Sequence, residues 1–311
     1  MNRLILNFSI YIALNIFTGN SLFGQNDAKL SIFNYNTLIY NPAFAGSNYG
    51  PDVTGIYSTQ WMGFEGAPET QFLSAHTMFN NKNVGIGLSF LNDKAGPIKQ
   101  QNIEGNVSYF LEVNRKVTIS VGIKAGIRNF NADLKNLVVL NPQEQAYNTG
   151  NIYDMSMILG IGTYIFTDNA FVGFSVPSIF KQKYYNDKFT AVVTSEKQYY
   201  YINGGYKIDI NQDFIFTPAF ITRLTAGAPI STLGSLNLKW REKVAGGLNF
   251  ELNSSIGAYF AIEALENFKV GYSYDTSINN SIKYNSGNHA IFLKYSIINP
   301  DSGKKCSCNL L

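Results

Sequence analysis

The chain has 311 residues, a formal net charge of +3 and charged side chains at only 14%, against the roughly 25% of ordinary soluble domains. Its Lys and Arg are dispersed with no basic run in the body, which excludes a nucleic-acid partner, and two cysteines cannot staple so long a chain. Aromatic residues reach 14%, with 20 Tyr and 23 Phe, so the apolar content must be hidden in alternation rather than in runs.

Residues 1–24 read as a secretory signal peptide. Met1-Asn2-Arg3 is followed by a largely apolar stretch from Leu4 to Phe17 and by the small residue Gly24. Asn7, Asn15 and Asn20 interrupt it, and it falls short of the ~20 apolar residues that a membrane-spanning helix requires. Cleavage is expected after Gly24, with the mature chain starting at Gln25.

Residues 25–50 form an expected periplasmic or plug-like segment. Within it, "YNPAFAGS" (Tyr40 to Ser47) is too broken by Pro42 and Gly46 for a helix and lacks the alternation of a strand. It reads as an elbow into the first strand, with Phe44 a knob between the small residues Ala43, Ala45 and Gly46.

From residue 51 to 299 the dominant signal is period two. Val117, Ile119, Val121, Ile123, Ala125 and Ile127 share one face, while Thr118, Ser120, Gly122, Lys124, Gly126 and Arg128 share the other. The same holds for Val84, Ile86, Leu88 and Phe90, for Ile256, Ala258, Phe260 and Ile262, and for Phe268, Val270, Tyr272 and Tyr274. The opposite faces carry Gly, Ser, Lys, Arg and Glu at strand centres, which suits a wet lumen better than a soluble exterior. On that reading Lys124, Arg128, Glu263, Lys269 and Asp275 are lumen charges, and Lys124→Gln should cost little.

The pattern divides into about 14 strands, at 52–61, 70–79, 84–92, 98–112, 117–130, 153–166, 170–180, 196–209, 214–222, 231–240, 244–252, 256–264, 268–276 and 288–298. Short links such as "VNRK", "TDN" and "LEN" alternate with longer ones such as "MGFEGAPE", "NDKAGP" and the stretches 131–153 and 181–195. An even strand number with short turns on one side and long loops on the other predicts a single closed antiparallel transmembrane β-barrel in the outer membrane. In lipid every amide must be paired, so an all-β chain has to close on itself. Tyr109, Phe110, Tyr164, Phe166, Phe171, Tyr272 and Tyr274 are the expected interfacial girdles. Residues 300–311, with Cys306 and Cys308, read as a polar tail.

Chemistry-bearing constellations are sparse. His76 and His289 read as satisfied lumen or interface histidines, and Ser74, two residues from His76 on one strand, does not make a nucleophile–base pair. Gly85-Ile86-Gly87 and Gly160-Ile161-Gly162 lie inside strands with no helix following, so they are not phosphate loops. Glu263 and Glu266 read as surface around a turn. No metal ligand set and no cofactor are expected, and the protein is expected not to be an enzyme. Exposed apolar clusters mark interaction sites, so Leu134, Leu137, Val138, Val139 and Leu140 in one long loop, with Tyr184, Tyr185 and Phe189 in the next, are the candidate partner-binding residues.

"SIFNYNTLIYNPAFAGS" and "TQWMGFEGAPET" resemble the signature segments of the PorP/SprF family of outer-membrane proteins. The likeness runs on in order through "GIGLSFLNDKAGP", "AFVGFSVPSIF", "FTPAFITRL", "VGYSYDTS" and "GNHAIFLKYS". The family-motif residues are Asn41, Pro42, Phe44, Gly46, Gln60, Trp61 and Pro68. Departures are Ser58, where the family commonly has Arg, Asn288-His289-Ala290 in place of Ser-His-Glu, and the end "CSCNLL". The resemblance implies a role with the type IX secretion and gliding machinery. It implies export or surface anchoring of a large adhesin by binding its C-terminal domain, with secretion components and outer-membrane lipid as further partners. The alternative is an outer-membrane channel or transporter, porin-like or fatty-acid-transporter-like.

Overall fold

The computed structural model describes residues 32–48, 50–79, 83–133, 151–181, 198–252, 254–278 and 286–297, and the backbone at 183–186 and 191–195. The expected signal peptide, Cys306 and Cys308, and loop residues Leu134, Leu137, Val138, Val139, Leu140 and Phe189 lie outside the described residues; Tyr184 and Tyr185 are described in backbone only.

The first half of the chain supplies strands β1 (Asp52–Thr59), β2 (Glu69–Phe79), β3 (Val84–Ala95), β4 (Ile98–Asn114), β5 (Val117–Ala132), β6 (Ile152–Phe166) and β7 (Ala170–Val176). A separate hairpin follows, β8 (Lys183–Asn186) with β9 (Ala191–Ser195). Then come β10 (Tyr199–Tyr206), the two-residue β11 (Ile208–Asp209), β12 (Phe214–Thr225) and β13 (Ser231–Trp240). The last four are β14 (Val244–Glu251), β15 (Ser255–Leu265), β16 (Phe268–Ser277) and β17 (Asn288–Ser296).

Sequence neighbours pair antiparallel throughout the main sheet, and two further pairings make it a ring. β1 runs beside β17, and β10 pairs with β12 from Tyr199↔Thr225 to Gly205↔Ala219. Setting aside the hairpin and the short β11, fourteen strands form a closed barrel. Closure matters physically because an open edge in lipid would leave a row of unpaired amides. No described helix is long and apolar enough to cross a membrane; the crossing elements are the strands.

The faces are sorted as alternation requires. Along β5, Val121, Ile123 and Ile127 stand exposed on the outside, while Ser120, Lys124, Arg128 and Phe130 are buried inside. At one end most links are short, and several are closed by their own side chains. Asn114 Oδ1 accepts from the N–H groups of Lys116 and Val117, Asn211 Oδ1 from those of Asp213 and Phe214, and Thr167 Oγ1 from that of Ala170. Asn and Thr do this because a short polar side chain mimics a backbone turn. By the rule for such barrels this is the periplasmic end.

Several boundaries differ from expectation. "NDKAGP" is not a long link: β3 runs to Ala95 and β4 starts at Ile98, leaving Gly96 and Pro97 as the turn, with Gly96 at φ +56°. β7 stops at Val176 rather than near 180, because Pro177 has no N–H to give to the ladder. The link after it contains a hairpin of its own.

The aromatic girdle also needs correction. Tyr109, Tyr272 and Tyr274 face outward, but Phe110, Tyr164 and Phe166 are buried inside the barrel, with Phe171 half-buried against them. Adjacent residues of a strand cannot share a face, so with Tyr109 outward Phe110 must point in. Tyr164 stacks on Phe166 at 5.0 Å.

Candidate functional site: the N-terminal segment inside the barrel

Residues 32–48 lie within the barrel, folded as a 3-10 turn (Phe33–Tyr35), a one-turn helix (Thr37–Tyr40) and a second 3-10 turn (Pro42–Phe44). Their hydrophobic side chains supply much of the interior packing. Tyr35 sits against Phe292 at 4.1 Å and edge-on to Tyr259 at 5.6 Å, on the β15–β17 side. Burial there pushes the Tyr35 phenol well above its usual range. Phe33 packs with Tyr201, Ala219, Ile221 and Leu233 on the β10–β13 side. Leu38 is buried as well.

From Tyr40 to Asn48 the segment crosses the inner wall strand by strand, in reverse chain order. The path follows a row of small residues that the sheet register places side by side: Ser175, Gly162, Gly122, Ser108 and Gly85, on β7, β6, β5, β4 and β3. At the three glycines the wall has no side chain because the segment occupies that space. A Cβ on Gly162 would overlap the Asn41 amide, one on Gly122 the Ala43 main chain, and one on Gly85 the Ala45 carbonyl. The match is reciprocal at Gly46, whose φ is +75° and whose added Cβ would lie 2.5 Å from Gly85 Cα. Glycine is the residue that tolerates both demands.

Wall side chains satisfy the backbone that such short turns leave unpaired. Ser175 Oγ donates to the Tyr40 carbonyl at 2.9 Å, Ser120 Oγ to that of Ala43 at 2.7 Å and Ser108 Oγ to that of Ala45 at 2.6 Å. Lys124 Nζ donates to the Ile39 carbonyl at 3.0 Å. Asn41 holds the wall in return: its Nδ2 donates to the carbonyls of Thr163 and Phe174, while its Oδ1 caps the Ala43 N–H at 3.0 Å. Pro42 at the start of the second turn has no N–H to satisfy.

Two polar clusters flank the seat. On one side Lys124 pairs with Glu104 at 2.7 Å with side-chain exposures of 1% and 10%, and Asn102 links Glu104 to Arg128. A cavity of about 60 Å³ adjoins them, lined among others by Ile39, Tyr40, Asn102 and Arg128. That is room for a few waters at roughly 10–15 Å³ each. On the other side the segment's end is held by β1, β2 and β17. Gly46 N–H donates to His76 Nδ1 at 3.2 Å, and Asn48 Nδ2 donates to the Asp52 carboxylate. Asp52 also accepts from Ser296 at 2.6 Å and pairs with Lys294 at 3.2 Å.

The motif residues Asn41, Pro42 and Gly46 are thus brought together on the inner wall. Phe44 reaches His76 and Tyr164, with ring centroids 5.6 and 6.1 Å apart. The elbow reading is corrected: the stretch is a strap across six strands, and Phe44 packs against wall rings rather than between its small neighbours. The wet lumen is corrected too, since the Gly and Ser positions accommodate chain. Lys124 is a buried ion-pair partner and not a solvated charge. Gln60, Trp61 and Pro68 fall elsewhere, in the β1–β2 link at the outer end. His76 is a satisfied interior histidine, and His289 bonds to the Tyr272 hydroxyl. Ser108 and Ser175 were not singled out from the sequence, because the row they share with Gly85, Gly122 and Gly162 appears only once the register is known. Among the described residues there is no cluster of metal-ligating side chains.

Comparison with known structures gives the same architecture. The monoaromatic hydrocarbon channel CymD matches with a TM-score of 0.56 at 11% identity, over 88% of this chain and 95% of that one. The Pseudomonas putida toluene transporter TodX matches with a TM-score of 0.50 at 8% identity, over 88% and 98%. At such identities the likeness is one of fold. Comparison with curated protein sequences finds no match. The profile of the type IX secretion system membrane protein PorP/SprF matches residues 22–295. That span includes the inner strap and the whole ring of strands: the chain belongs to the PorP/SprF family of type IX secretion system proteins, as a barrel of the outer membrane.

Proposed function

We propose that this barrel is an outer-membrane platform that supports export or surface anchoring of a secreted adhesin by binding its C-terminal domain at the outer end. The observation that carries the reading is the occupied interior. A strap fixed by hydrogen bonds to β2, β4, β5, β6 and β7 fills the inner wall, and the cavity beside Lys124 and Glu104 holds about 60 Å³. A protein so filled is better suited to holding something on its surface than to passing solutes. No catalytic step belongs to this role. The longer links Asn131 to Tyr153 and Lys181 to Ser195 are the docking elements in this reading.

A channel is the competing function. The charged groups Glu104, Lys124 and Arg128 beside the cavity favour it, because polar groups around an internal space could guide a solute if the strap moved. Deleting Leu137 to Leu140 separates the two. The anchor reading expects an inserted barrel and release of the adhesin from the cell surface into the medium. Unchanged retention would favour the channel.

A further inference from the structure

We propose that the β1–β2 link carries a preformed hydrophobic knob, Trp61, Met62 and Phe64, that inserts into an apolar pocket on the secreted partner's domain. This rests on the anchor reading and adds a further contact, beside its two long links, through which the partner is held. The three side chains are 51%, 46% and 51% exposed, an unusual concentration for a link of nine residues at the outer end. The link is braced on every side. Gln60 N–H donates to the Pro68 carbonyl at 2.9 Å and closes its base. Gly96 N–H, in the β3–β4 turn, donates to Gly66 O at 2.8 Å, and Met62 N–H reaches Gly287 O at 3.4 Å. Trp61 N–H also reaches Asn288 Oδ1 at 3.3 Å. Trp61 takes left-handed backbone (φ +54°), which a bulky side chain rarely adopts, so the bracing sustains a conformation that a free loop would leave, while Gly63 (+101°) and Gly66 (+76°) take theirs without strain. A preorganised apolar projection binds without a large ordering cost.

Lipid is the other candidate occupant, and the outward face argues against it. Between the knob and the apolar band stand Glu69 paired with Lys94 across β2–β3, then Gln71 bonded to Asn92 at 3.3 Å. These polar pairs mark the upper edge of the lipid-facing surface beside the link. Exposed Glu65 and Glu69 flank the knob, so the complementary pocket would be apolar with a basic rim.

Two experiments decide. The chain has two tryptophans, so Trp240→Phe leaves Trp61 as the reporter. In vesicles containing acyl-brominated lipid, Trp61 should be quenched by acrylamide and not by the lipid; strong quenching by the lipid overturns the proposal. In the native cell, a photo-crosslinking phenylalanine derivative at Phe64 should capture the secreted protein's C-terminal domain. Trp61→Ser/Met62→Ser/Phe64→Ser, with heat-modifiability intact, should raise the amount of that protein in the medium at least about tenfold, as loss of an interface anchor does. A crosslink from Ile230 in the β12–β13 link, with none from Phe64 and no release by the triple variant, overturns the knob and leaves the anchor reading standing. Absence of a crosslink from Phe64 with an unchanged medium overturns the knob, and if deleting Leu137 to Leu140 leaves retention unchanged as well, the anchor reading falls with it.

Discussion

Gly122 lies directly beneath Ala43: the space where a Cβ would stand on the β5 inner face is filled by the Ala43 main chain. One β5 position therefore couples the barrel wall to the motif of the N-terminal segment. Gly122→Leu should unseat the strap at a cost of roughly 1–3 kcal/mol for overpacking, while leaving the ring of strands closed. In a background lacking Cys306 and Cys308, Ala45→Cys should resist a water-soluble maleimide in the parent and react in the Gly122→Leu variant. Equal reactivity in both would show that the wall contact does not hold the segment.

Lys124 and Glu104 give the second prediction. Removing one partner of a buried pair strands a charge, so Lys124→Met should destabilise by about 3–5 kcal/mol. Glu104→Gln combined with Lys124→Met should recover much of that loss. Urea unfolding in lipid vesicles measures both. For the same reason Lys124→Gln, expected from the sequence to cost little, should be costly: the ammonium it removes is buried beside Glu104 and donates a hydrogen bond to the Ile39 carbonyl of the strap.

One residue away, the opposite face follows lipid rules. Ile123 is 58% exposed on the outside, near the middle of β5, so Ile123→Lys should cost roughly 2–4 kcal/mol in the same unfolding assay. A loss below that range would place Ile123 outside the apolar band.

How much of this was legible in the sequence follows from which signals are local. Ile123 out and Lys124 in could be read directly, because side-chain alternation is a property of one strand. The ring was legible because link lengths and strand count constrain each other. The strap was not. Gly85, Gly122 and Gly162 lie far apart in the chain and become one groove only through the registers Gly85↔Ser108, Ser108↔Gly122 and Gly122↔Gly162. Aromatic residues misled for a related reason: Phe110 and Tyr164 suit a membrane interface and a filled lumen equally well, and the choice depends on whether something is inside to pack against.

His76 supplies a fourth expectation. Its Nδ1 accepts the Gly46 N–H, beside the Asp52 carboxylate that receives Asn48. His76→Phe removes that acceptor and should loosen the strap's end without breaking the ring. Protease cleavage within residues 32–48 should then speed up, while the heat-modifiable gel shift of the closed barrel stays unchanged.

The central claim is that the N-terminal strap seals the barrel. Single-channel recording in planar bilayers tests it most directly. The account predicts no stable conductance from the intact protein and step conductance from the Gly122→Leu variant; large, stable, porin-like conductance from the intact protein would contradict it.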